Sequence, residues 1–201
     1  MDTNFVVGAC LLLPVLGAFL VLILGSRPNV REAATLLTGG LTFWHVWGLL
    51  HHVREGARPR LELLEIVPGV QLAFEVEPLG LLFALVASFL WIVTTLYAIG
   101  YMRGHHEKNQ TRFFFFFAIA IAGAMGVAFS ANLFTLFAFY EILTLCTFPL
   151  VTHHQTDEAR KAGRVYLGIL LTTSVAFQLL AIIWTWQLAD TVDFTDGGIL
   201  A

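Results

Sequence analysis

An all-α integral membrane fold of about six transmembrane helices, with a short external β-hairpin between the second and third, is what this sequence predicts. Three observations predict it. Apolar residues make up 58% of the 201 and charged residues only 12%, about half the charged share of an ordinary globular domain; mean hydropathy is +0.79. Six apolar runs are each long enough to cross roughly 30 Å of hydrocarbon, which takes about 20 residues at about 1.5 Å rise. The basic residues also alternate between loops. A soluble chain of 22.3 kDa has no interior large enough for this much apolar surface, so lipid is its solvent.

The first run, 4–25, resembles a signal peptide only superficially. Met1 to Ser26 carries Asp2 but no Lys or Arg, and the run is too long for the apolar core of a leader, so it reads as a span. The second is 33–53. Between them and the third, Leu61 to Glu77 approximately alternates apolar and acidic residues around the turn dipeptide Pro68-Gly69, which predicts the external hairpin. The third span is 79–102. The fourth and fifth, 113–130 and 132–151, are nearly continuous, broken only by Ser130 and Asn132, residues that suit a tight turn. The sixth is 165–188. No internal repeat is visible, and the five phenylalanines from Phe113 to Phe117 face lipid or neighbouring helices. Residues 1–201 form a single membrane domain on this reading.

The charges test the span count independently. Arg27 and Arg31 fall in loop one, Arg103, Lys108 and Arg112 in loop three, and Arg160, Lys161 and Arg164 in loop five: eight of the eleven basic residues. Arg54, Arg58 and Arg60 lie opposite, diluted by Glu55, Glu62, Glu65, Glu75 and Glu77, and the segment after the sixth span carries Asp190, Asp193 and Asp196. Cytoplasmic loops collect Lys and Arg. Both termini are therefore expected outside, with an even number of spans.

Several chemistries find no support. A net charge of −3 argues against a nucleic-acid partner. Cys10 and Cys146 both sit in apolar runs, as buried small residues rather than a disulfide or metal site. Gly-rich phosphate loops, a nucleophile elbow, CxxC and HExxH do not occur, so no cofactor or metal is expected. The pairs His51-His52, His105-His106 and His153-His154 point about 100° apart on a helix and make poor bidentate sites. His45, flanked by Trp44 and Trp47, reads as interfacial packing with proton transfer as the rival.

Glu141 is the informative residue. Nine residues from Asn132 and eleven from Thr152, it falls near the middle of the fifth span. An ionised carboxylate there costs at least about 2.5–3.5 kcal/mol unless it faces water, protein or a cation. Folding does not need it, whereas proton transfer would. The rival reading is a protonated structural carboxyl bonded to a neighbouring helix. Thr144 lies one turn further along the same face, with Tyr140, Cys146 and Thr147 near in sequence. On the sixth span Ser174 and Gln178 form an i, i+4 polar stripe, although such residues also serve as interhelical glue. No Lys, Arg, Asp or Glu other than Glu141 falls within the six runs as bounded here. A cationic partner at that depth would come from another chain or from sequence beyond residue 201.

These residues resemble a known family, the large antiporter-like membrane subunits of respiratory NADH:quinone oxidoreductase, Mrp-type cation/proton antiporters and related membrane hydrogenases and bicarbonate-accumulating complexes. Glu77-Pro78-Leu79-Gly80 followed by Leu81-Leu82-Phe83 looks like the start of the family's third helix. Tyr97-Ala98-Ile99-Gly100-Tyr101-Met102 looks like its end, with the aromatic run from Phe113 following. Most specific are Asn132-Leu133-Phe134, Phe139-Tyr140-Glu141, Leu143-Thr144-Leu145 and Pro149-Leu150-Val151. The resemblance implies that Glu141 takes the place of the family's proton-moving glutamate; Tyr140 stands where a tryptophan is usual. It also implies a larger fold of about fourteen helices built on inverted repeats, of which this would be the N-terminal part. The buried lysine expected on the seventh helix has no counterpart here, so a split subunit, a truncated product and a shortened chain all stay open.

The expectation is a proton or cation/proton translocating subunit of a multisubunit complex in a bacterial-type inner membrane, with Glu141 as carrier and Thr144, Tyr140, Ser174, Gln178 and His45 as relay candidates. Expected partners are other membrane subunits, including a chain that supplies the lysine-bearing helices, together with protons, Na+ or another cation. No catalytic site of its own is expected. The rival is a structural or assembly subunit without a conduction pathway.

Overall fold

A computed structural model describes residues 3–200 of the chain. The elements in order are α1 (Thr3–Ile23), α2 (Pro28–Arg54), β1 (Arg60–Val67), β2 (Val70–Glu75), α3 (Pro78–Gly104), α4 (Gln110–Ala128), α5 (Leu133–Val151), α6 (Asp157–Thr173), a π-helical segment (Ser174–Leu179) and α7 (Leu180–Ala189). The last three run on as one 33-residue helix, Asp157–Ala189. Among the described residues, five helices are both long and apolar enough to cross a membrane. The sixth, α2, has the length at 27 residues but is more polar.

The polarity of α2 is handled locally. Thr35 and Thr42 are buried, and their hydroxyls donate to the carbonyls of Arg31 and Thr38 one turn earlier, as Thr38 does to Ala34. Back-bonding of this kind satisfies a hydroxyl without a partner on another helix. It lets α2 insert between α1 and α3. There Gly17 lies so close to Thr38 that a Cβ would overlap it.

α2 starts earlier than the run 33–53 implied. Pro28 takes the first helical position, where its missing N–H costs nothing and its fixed φ favours the helix. Arg31, assigned above to a loop, and Glu32 are therefore helical, and both are buried. Burial is tolerated because Arg31 bonds Glu32, Gln110 and Thr111, while Arg103 of α3 also reaches Glu32. Arg31 additionally lies 5.1 Å over the Phe114 ring.

The hairpin is present, with β1 and β2 antiparallel from Arg60↔Glu75 to Val67↔Val70 and two register irregularities. Gly69 takes φ +83 at the turn, the left-handed value that glycine accepts without steric penalty after a proline. The break between α4 and α5 is more than a turn. Asn132 caps α5 by accepting from the Thr135 amide at 2.8 Å and donates to Gln71 of β2, while the Thr135 hydroxyl accepts from the Ala73 amide. Leu133 and Phe194 add backbone bonds to Val192 and Ala131. The hairpin thus braces the α4–α5 corner.

The main core is built by α1 to α4 with the hairpin, from Val7, Cys10, Val46, Leu49, Trp91, Ala118, Met125 and Phe129 to Phe74. α5 packs on α4 and α6 on α5, leaving α5 and the long α6–α7 helix the least covered of the spans. Cys10 and Cys146 are buried free thiols.

Candidate functional site

Glu141 is the ninth residue of α5. Eight residues separate it from Leu133 and ten from Val151, so at about 1.5 Å per residue it lies about 12 and 15 Å from the helix ends. Its azimuth follows from its neighbours. A Cβ at Gly126 would overlap the Phe139 ring, and one at Gly123 would touch Leu143 at 3.4 Å, so Phe139 and Leu143 face α4. Glu141 stands two residues from each, about 200° round the helix, and so points away from α4. At the other end of the helix, Phe148 and Thr152 meet Gly163 of α6. These lie seven and eleven residues after Glu141, on the same face.

Depth then places Glu141 level with α6 just before the π-helical segment. α5 and α6 run antiparallel from their contact at Phe148, Thr152 and Gly163. Nine residues back along α5 from the middle of that contact is Glu141, and nine forward along α6 is Thr172, two residues before the π turn begins. The segment touches α5. Glu141 is half-buried, and its Oε1 is buried without a hydrogen-bond partner. An orphaned carboxylate oxygen in hydrocarbon is costly unless a proton, water or a cation meets it. π turns break the regular backbone ladder and recur at functional sites.

The relay candidates divide. Thr144 is buried on the same helix, its carbonyl taken by the Thr147 hydroxyl. Tyr140 is half-buried. Ser174 and Gln178 both fall inside the π segment, so the stripe read as an α-helical i, i+4 pair is set in a wider turn; Ser174 bonds the Leu171 carbonyl at 3.2 Å. No hydrogen bond joins Glu141 to any of these four among the described residues. His45 stands apart on α2, its Nδ1 2.8 Å from the Leu41 carbonyl.

Sequence reading missed two charged clusters at the basic end of the bundle. One is Arg31, Glu32 and Arg103, for which Pro28 ahead of the run was the available signal. The other joins α4 to the α5–α6 turn: Arg112 donates to the carbonyls of Thr152 and His153, and Glu107 lies 3.9 Å from both His153 and His154. Burial pushes the His153 imidazole below its ordinary value, the Arg112 guanidinium adding to the effect and Glu107 opposing it. Nothing in the residue pattern announces this cluster, because it depends on which loops meet.

Residues 68–114 match the family described as NADH-ubiquinone oxidoreductase (complex I), chain 5 N-terminus, and residues 130–198 match that described as NADH:quinone oxidoreductase/Mrp antiporter, TM. Together these cover more than half of the chain. A protein of Staphylococcus aureus (strain MRSA252) described as an antiporter subunit, mnhD2, is 26% identical over 185 residues, 92% of this chain and 36% of its own length. The fold is shared with a chain of the membrane-bound sulfane sulfur reductase, an archaeal respiratory membrane complex (TM-score 0.77, 22% identity, 92% of this chain, 28% of that one). It is also shared with a chain of the Mrp complex from Dietzia sp. DQ12-45-1b (TM-score 0.79, 18% identity, 96% of this chain, 36% of that one). The chain spans about a third of the length of the curated relatives it matches. With both family matches on a multi-pass helical bundle, the chain belongs to the antiporter-like membrane subunits of the NADH:quinone oxidoreductase and Mrp antiporter family.

Proposed function

We propose that this chain forms part of a proton or cation/proton translocating subunit of a multisubunit prokaryotic membrane complex, with Glu141 as its proton carrier. The observation that carries the reading is the orphaned, buried Oε1 of a carboxylate midway along α5. It lies on the face turned to α6, level with the start of the π segment. A carboxyl held there without a protein partner is poised to exchange its proton with water or with a group brought in by the remainder of the assembly. That group is expected to be a lysine or histidine outside these 201 residues, on helices that approach α5 at the depth of Glu141. The driving energy would come from a redox module or an ion gradient elsewhere in the complex, and Na+ or another monovalent cation would be the counter-ion in an antiport cycle.

The test is proton pumping per unit of assembled complex, with assembly measured separately. Glu141→Gln keeps the shape and lowers the cost of burial, so assembly is expected to equal or exceed that of the parent while coupled transport falls to a small residue, because an amide has no proton to exchange in this range. Glu141→Asp retains the chemistry but shortens the reach and is expected to keep partial activity. Near-normal pumping in the Gln variant would sink the carrier role and leave a structural subunit as the reading.

A further inference from the structure

We propose that the basic cleft where α4, α5 and α6 meet binds the phosphodiester headgroup of an acidic phospholipid. The cleft, about 680 Å3, is lined by Arg112, Phe116, Phe148, Arg160, Lys161 and Arg164 among others. Its basic members on α6 recur at i, i+1 and i+4, which gathers them on one side of the helix beside the line on which Gly163 meets α5. Arg160, Lys161 and Arg164 make no ion pair among the described residues. Arg112 uses one terminal nitrogen on the carbonyls of Thr152 and His153 and keeps a buried Nε with no partner. Asp157, which also lines the cleft, offsets one of the four cations and leaves a net excess of three. The first turn of α6, capped by Thr156, adds the positive end of a helix dipole.

The level of the cleft selects a lipid over a soluble anion. The continuous helix from Asp157 to Ala189 has 33 residues, about 50 Å at about 1.5 Å each, against roughly 30 Å of hydrocarbon. The apolar part, 165–188, fills the hydrocarbon, so the two turns that carry Arg160, Lys161 and Arg164 stand at headgroup height. One turn below Lys161, Val165 and then Ile169 are exposed, and Phe116 and Phe148 form an apolar wall of the cleft. Phosphate above and acyl chain below is the order in which a phospholipid presents itself. Basic pockets between transmembrane helices recognise acidic headgroups in this way.

The experiment uses the protein with whatever subunits co-purify with it, in neutral detergent. Native mass spectrometry and thermal unfolding are recorded against three probes: phosphatidylglycerol, phosphatidylcholine and inorganic phosphate. Phosphatidylglycerol is expected to remain bound and to raise the unfolding temperature, and the other two to do neither. The pair Arg160→Gln and Arg164→Gln is expected to weaken apparent phosphatidylglycerol affinity roughly fivefold for each cation removed. Arg160→Lys with Arg164→Lys should keep most of it, and Arg27→Gln with Arg58→Gln, which lie outside the cleft, should change nothing. If the Gln pair does not fold, the single exposed Lys161→Gln carries the same comparison. Equal binding of phosphatidylcholine, equal stabilisation by inorganic phosphate, the same loss in the Arg27/Arg58 control, or no retained phosphatidylglycerol on the folded parent each overturns the proposal.

Discussion

Arg60 on β1 donates from Nη2 to the carboxylate of Asp193 at 2.9 Å, across 133 residues of sequence, and its other nitrogens reach Glu62 and Glu75. Asp193 also pairs through its backbone with Asn132, the residue that caps α5. The contact therefore pins the segment after α7 to the hairpin and to the start of α5. Its bond with Asp193 is the main reason the Arg60 guanidinium is held above its ordinary value. Both side chains are about one-third exposed, so solvent screens the pair. Asp193→Asn is expected to cost about 0.5–1 kcal/mol, and a double-mutant cycle with Arg60→Gln to give a coupling below about 1 kcal/mol that shrinks with added salt. Thermal unfolding in detergent at two salt concentrations measures it; a salt-independent coupling above that range would contradict the screened pair.

The Arg31–Glu32 pair is of a different kind. Relative exposure is 3% for Arg31 and 4% for Glu32, and Arg103 supplies a second cation from α3. Glu32→Ala would strand a guanidinium in the interior beside Arg103, and a broken buried pair costs about 3–5 kcal/mol. Arg103 is nearly half exposed, and Glu32 would keep Arg31, so Arg103→Ala is expected to cost clearly less. Removing both buried charges as Arg31→Met with Glu32→Gln should recover much of the loss. Unfolding temperatures of the four proteins decide it, and equal losses in Glu32→Ala and Arg103→Ala would show that the buried charge is met in another way.

Much of this architecture was legible in the residues, and the reasons are specific. Long apolar runs marked the spans because lipid offers no other way to satisfy backbone and side chains together. Pro68-Gly69 and Asn132 marked their turns because φ and capping chemistry leave few alternatives. The helix starts were less legible. α2 and α6 extend beyond their apolar runs, to Pro28 and Asp157, because helices continue into the headgroup region on charged residues that hydropathy discounts. Glu141 stood out by depth alone, whereas its azimuth depended on Gly123 and Gly126 admitting α5 so close. The π segment had no sequence mark. Ser174 and Gln178 fit an ordinary helix equally well, and the insertion belongs to how α6 and α7 join.

His153 supplies the pH dependence. It lies just beyond the end of α5, packed against Phe113 and facing Arg112, Glu107 and His154. Its imidazole is lowered from the ordinary 6.5, first by burial and then by Arg112, so the folded chain favours the neutral ring. A group lowered on folding contributes its full stability above the unfolded value and loses it as pH falls through the folded one. Unfolding temperature is therefore expected to drop as pH falls below about 6.5, and His153→Gln, which cannot take the proton, should flatten part of that drop. An unaltered slope in His153→Gln would assign the acid sensitivity to other groups.

The last expectation concerns orientation, and it joins the charge bias to contacts between loops. Arg31 bonds Thr111, Arg103 bonds Glu32, and Arg112 bonds the carbonyls of Thr152 and His153, so the loops after α1, α3 and α5 share one end of the bundle. The hairpin and the segment around Asp193 share the other. Eight of the eleven basic residues belong to the first end, which the positive-inside rule places in the cytoplasm. Cysteines at Lys108 and Glu158, both exposed, should then react with a membrane-impermeant maleimide only after the membrane is opened, and a cysteine at the exposed Asp196 should react in intact cells. The native Cys10 and Cys146 are buried and contribute little background. Reversal of all three would keep the six-helix bundle and invert it in the membrane. Reaction of positions 108 and 196 from the same side would break the even span count, because α4 to α7 must carry the chain across an odd number of times between them.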